Sequence, residues 1–87
     1  MNFRVIIVFS HANRVFGLSR EPASGCPCGG GADRDHWDVC REAPGGGIDT
    51  DHPVCHFTSG QLIPVDALIR LARIELDAVA IDRTKGN

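Results

Sequence analysis

The sequence predicts an α+β fold: an N-terminal β-strand or hairpin over residues 1–20, a Cys/His-rich loop region over 21–60, and one long amphipathic helix with a short tail over 61–87, all in a single small domain. Three features carry that expectation. The chain opens on a β-branched and aromatic run and closes on a long stretch without Gly or Pro. Between them lies a segment so rich in Gly, Pro and Asp that hydrophobic burial alone is not expected to order it.

From Phe3 to Ser10 the side chains alternate, with Phe3, Val5, Ile7 and Phe9 on one face and Ile6 and Val8 on the other, so both faces are apolar except at Arg4 and Ser10. A strand of that kind expects the core on one side and at least partial cover on the other, from a helix or a partner. His11-Ala12-Asn13 reads as a turn with His11 solvated, and Arg14-Val15-Phe16-Gly17-Leu18 as the returning strand of a hairpin, with a short helix as the alternative because Gly17 weakens a strand. Arg20 to Gly25 is a connector into the cysteine stretch.

At the far end, Pro64 suits a helix's first turn, Val65 to about Arg83 contains neither Gly nor Pro, and Gly86 stands just beyond the last turn. At 100° per residue Asp66, Arg70, Arg73 and Asp77 form a narrow wet stripe. Val65, Leu68, Ile69, Ala72, Leu76 and Val79 make one apolar stripe, and Ala67, Leu71, Ile74, Ala78 and Ile81 make another. A small hairpin covers only one of them. The second is expected to meet another protein or a second copy of the chain, with Leu71, Ile74, Ala78 and Ile81 at the contact. Glu75, set among apolar neighbours, reads as the boundary between stripes, with metal ligation or an interface ion pair as its functional alternatives.

Size sharpens the need for a staple. A chain of 87 residues buries only about 60–65% of the surface its unfolded form exposes, which leaves it marginal. A net charge of -2, a pI near 6.0 and a single lysine, Lys85, count against non-specific binding of nucleic acid or anionic membrane. No run approaches the roughly 20 apolar residues of a membrane span. Arg4, the apolar run Val5 to Phe9 and Ser10-His11-Ala12 have the outline of a secretory signal, but the run falls short of the about 7–15 apolar residues such a signal needs. A reducing, cytoplasmic location is therefore expected, where cysteines serve metal or redox chemistry rather than disulfides.

The stretch from Cys26 to His56 holds all four cysteines, three of the four histidines and the only tryptophan. Cys26 and Cys28 flank Pro27, eleven residues separate Cys28 from Cys40, and fourteen separate Cys40 from Cys55. The first pair is one residue short of the C-x2-C knuckle of a zinc site, but thiolates are favoured zinc ligands and Gly29 to Gly31 free the backbone to wrap an ion. Structural zinc held by Cys26, Cys28, Cys40 and Cys55 is the leading expectation, with His52 or His56 as substitutes for one cysteine and His36 outside the ligand set. The rivals are two disulfides, paired Cys26/Cys40 with Cys28/Cys55 or Cys26/Cys55 with Cys28/Cys40, an iron-sulfur cluster, or unliganded thiols.

The remaining features read more plainly. The aspartates of Asp33 to Asp38 and Asp49-Thr50-Asp51 do not keep the steps of an EF-hand and serve turns or caps. Gly45-Gly46-Gly47 lacks the Lys-Ser/Thr of a phosphate loop and reads as a loop tip. Trp37 is expected either to cap the metal site or to anchor an interface. The sum is a small zinc-binding protein that serves as a protein-protein interaction module, an accessory subunit or regulator, through its helix. The alternatives are a zinc-dependent hydrolase or nuclease-like enzyme, drawing on His36, His52, His56, Asp38 and Asp51, and a nucleic-acid-binding zinc module using Arg14, Arg34 and Arg41.

Overall fold

The computed structural model describes residues 6–21 and 33–85, with side chains as far as residue 80. The described residues form an α+β domain of four strands and one helix: β1 (Ile6–His11), β2 (Arg14–Glu21), β3 (Asp35–Arg41), β4 (Cys55–Ser59) and α1 (Val65–Lys85). The strands form one antiparallel sheet in the order β1-β2-β3-β4, a simple meander.

The first hairpin forms where the sequence places it. His11 pairs with Arg14 and the two intervening residues, Ala12 and Asn13, have φ of 52° and 64°. Positive φ at both central positions is the signature of the two-residue turn whose twist matches its strands, and Asn tolerates it well. His11 is not the solvated turn residue expected. It ends β1, and its Nε2 lies 2.8 Å from Asp77 Oδ1 on the helix.

The central region departs most from expectation. Residues 21–60 contain β3 and β4 rather than one loop, and these strands supply Trp37, Val39 and Phe57 to the core. Alternation explains why. Trp37 and Val39 on β3 and Phe57 on β4 face the helix, while His36, Asp38, Cys40, His56 and Thr58 occupy the opposite face, so each strand carries only one or two large apolar residues. The β3–β4 connection is itself ordered: Ala43 N–H donates to Gly47 O at 2.8 Å, Gly46 N–H to Ala43 O at 2.9 Å, and an isolated bridge joins Glu42 to Ile48. Gly46 and Gly47 adopt φ of 94° and 75°, which only glycine does at little cost, so the triple-glycine run is a built turn. Asp49 Oδ1 accepts from Asp51 N–H at 3.2 Å, the turn role read for these aspartates.

The helix lies on the face formed by Phe9, Phe16, Leu18, Trp37, Val39 and Phe57, and buries Leu68, Ala72 and Leu76 against it. Each large apolar side chain so buried is worth about 1.5–3 kcal/mol. Phe9 and Phe16 stack across the β1–β2 pair with ring centroids 5.9 Å apart. Part of the wet stripe docks too, since Arg73 Nη2 donates to Ser10 O at 2.9 Å and Asp77 meets His11. The second apolar stripe remains outside: Leu71 is 37% and Ile74 57% exposed, and Ala78 is exposed. The side chain of Ile81, which the sequence places on the same stripe, lies outside the described residues. Among the described residues no helix is long and apolar enough to cross a membrane.

Trp37 corrects a second expectation. It is neither a cap on a loop nor an exposed anchor but 4% exposed in the core, with its Nε1–H donating to Ser59 Oγ at 3.1 Å. An indole buried under a helix needs one acceptor for its N–H, and the short β4 strand supplies it on the same face.

Candidate metal site

The face of the sheet turned away from the helix carries the chemistry. On it, Ser19, Asp38 and His56 stand in one cross-strand row, and Glu21, His36 and Thr58 in the next. Directly opposed residues bring their Cβ atoms to about 4.5–5.5 Å, and a long side chain reaches a diagonal neighbour. Asp38 and His56 are directly opposed, and Glu21 is diagonal to Asp38 with a longer side chain that closes the gap. One ligating atom from each of Glu21, Asp38 and His56 lies within 4.8 Å of the others, and all three residues are half-buried.

The pieces are held in place. His56 Nδ1 and Asp38 Oδ1 are 2.9 Å apart, a contact that orients the imidazole. The His36 ring packs beside His56 with centroids 5.7 Å apart and is itself 1% exposed. Ser19, opposite Asp38 and likewise 1% exposed, has a hydroxyl with no hydrogen-bond partner. A buried hydroxyl left without a partner costs about 1–3 kcal/mol, and this one sits on the same face as three ligating groups.

Two carboxylates and an imidazole form a mixed oxygen and nitrogen donor set that can hold a divalent ion. Such a set suits zinc and also manganese or iron, so the donors alone do not select the metal.

Of the residues singled out in the sequence, His56 is in this cluster, and so is Asp38, named there for the enzyme alternative. Cys26 and Cys28 lie outside the described residues. Cys40 is buried on the face of Asp38, whereas Cys55, opposite Val39, shares the helix-facing side, so the sheet separates these two thiols. Burial, then the nearby Glu75 carboxylate, with Cys40 and Asp38 adding to it, pushes the Cys55 thiol up to about 11. His52 projects from the β3–β4 connection and approaches Asp49 at 3.1 Å. Glu21, which ends a strand, is not legible as a ligand, and Asp38 reads first as a turn or cap aspartate and only in the enzyme alternative as part of a site; the β2–β3–β4 register joins both to His56.

No known protein family, characterised protein or solved structure matches the chain.

Proposed function

We propose that this chain is a small metal-binding protein that holds one divalent ion, zinc by preference, between Glu21, Asp38 and His56, and uses it to fix the three strands that carry them. The observation that carries the reading is the convergence of three ligating atoms within 4.8 Å on three different strands. An ion there would tie β2, β3 and β4 together, which is what a domain of this size gains from a staple. Zinc is preferred because imidazole is a good zinc ligand and the chain also carries Cys26 and Cys28 shortly after Glu21 in sequence. The proposal lets one of those two thiols supply the fourth ligand of a closed tetrahedral site and keeps the protein in a reducing compartment such as the cytoplasm.

In this reading the metal serves structure and the protein acts as an interaction module, an accessory subunit or regulator meeting its partner through Leu71, Ile74, Ala78 and Ile81. The exposure of Leu71, Ile74 and Ala78 supports it. The test is elemental analysis of the purified protein, followed by amide exchange of β3 and β4 with and without a chelator. One equivalent of zinc, and protection in β3 and β4 that falls when zinc is removed, is the expected result. Unchanged exchange after complete removal would refute a structural role.

A second reading, metal-assisted hydrolysis, is favoured by one feature. Three protein ligands leave a fourth position for water, the pattern of catalytic zinc. Turnover of an activated ester or phosphodiester that disappears in Glu21→Gln would move the assignment to an enzyme.

A further inference from the structure

A recess of about 480 Å³ opens at the end of the sheet where the β1–β2 turn meets the helix, well within the about 300–1,000 Å³ typical of small-ligand sites. Its floor and helix wall are apolar, built from Phe16, Val54, Leu76 and Val79. Two guanidiniums line it as well. Arg41 stands directly opposite Phe16, and Arg14 lies two residues before Phe16 on the same face, so the two arginines are diagonal neighbours on the helix side of β2 and β3.

Two guanidiniums and one carboxylate, Asp77, line this recess. Asp77 is hydrogen-bonded to His11 at 2.8 Å, and Asp49, near Arg41 on the adjoining connection, approaches His52 at 3.1 Å. Neither Arg14 nor Arg41 makes an ion pair or side-chain hydrogen bond among the described residues, although Glu42 follows Arg41 directly in the chain. Arg14 and Arg41 bring two like charges to one apolar recess with no carboxylate in ion-pair contact with either among the described residues, and an anion between them relieves their repulsion. The guanidinium fork matches a carboxylate in shape as well as charge.

We infer that this recess binds a small amphipathic carboxylate, its anionic head between Arg14 and Arg41 and its apolar body against Phe16, Val54, Leu76 and Val79. The apolar wall requires a hydrophobic body and the paired guanidiniums require a planar anion, so inorganic anions and neutral apolar molecules each satisfy half of the site. The site is separate from the metal cluster, which lies on the other face of the sheet.

The test is titration of the whole, metal-replete protein with 4-phenylbutyrate, its neutral amide and inorganic phosphate, followed by amide chemical shifts. The acid is expected to bind saturably, at least tenfold more tightly than the amide or phosphate, with shifts centred on His11 to Phe16, Arg41 and Val79. In Arg14→Gln/Arg41→Gln its affinity should fall at least tenfold. The inference is overturned if the acid does not saturate, if the amide or phosphate binds within tenfold of it, or if a folded double variant retains the wild-type affinity. The comparison of acid with amide uses the wild-type chain, so it decides the matter even if the variant fails to fold.

Discussion

His56 on β4 stands directly opposite Asp38 on β3, with Nδ1 of one 2.9 Å from Oδ1 of the other. The pair is held by strand register rather than by a loop, so the imidazole arrives at the site already aimed. Replacing Asp38 by Asn keeps the shape and removes the charge. Zinc affinity, read by competition with a chromophoric chelator, should fall at least about tenfold, as is usual when the carboxylate that binds or orients a site is lost. His52→Ala should leave it unchanged, because that side chain approaches Asp49 on the connection instead.

The β3–β4 connection packs against the sheet where Ile48 meets Gly17. A Cβ on Gly17 would meet Ile48 Cγ1 and Cγ2 at 2.8 Å, too close for any real contact. Gly17→Ala should destabilise the fold by about 1–3 kcal/mol through overpacking. In a thermal or denaturant melt, Gly17→Ala should cost much less on an Ile48→Ala background. An equal cost on both backgrounds would show that the contact is not what makes glycine necessary.

The two helix stripes should answer differently to charge. Leu68 and Leu76 are buried beneath α1, so Leu68→Glu places an unpaired carboxylate in the core and should prevent folding or cost several kcal/mol. Leu71→Glu/Ile74→Glu alters the exposed stripe and should change stability by no more than about 1 kcal/mol in all. If that stripe is an interface, sedimentation or pull-down from solution should show association lost while zinc content and the melt persist.

Cys55 offers a pH readout. Its thiol is pushed from 9.0 up to about 11, first by burial and then by the Glu75 carboxylate. The folded state therefore holds the proton longer than the unfolded chain, so this group opposes folding as pH rises from about 9 toward 11 and contributes nothing to the pH dependence below that window. Alkylation of Cys55 by iodoacetamide at pH 8 should be far slower than that of an unfolded peptide thiol and should accelerate toward pH 11. Glu75→Gln should move the acceleration to lower pH.

Much of the fold was legible because its signals are local. The β1–β2 hairpin follows from alternation on either side of Ala12-Asn13, and α1 from a Gly- and Pro-free amphipathic run with Pro64 before it. The division of the helix into a buried stripe around Leu68, Ala72 and Leu76 and an exposed one around Leu71 and Ile74 also follows from angle alone. β3 and β4 were hidden because only Trp37 and Val39 on one and Phe57 on the other carry the apolar signal, and turn-forming Asp and Gly surround them. The cluster was hidden for a related reason: Glu21, Asp38 and His56 are far apart in sequence and meet only when β2, β3 and β4 pair in one register. Cys40 and Cys55 drew attention as metal ligands by residue type, but strand alternation sends them to opposite faces.

The most direct test of the metal assignment is calorimetric titration of zinc into metal-free wild-type protein and into Glu21→Gln/His56→Ala, with the fold of each checked by its amide spectrum. The account predicts one site in the wild type and loss of that site in the variant. A wild type that binds no metal, or a folded variant that binds zinc with wild-type stoichiometry and affinity, would contradict it.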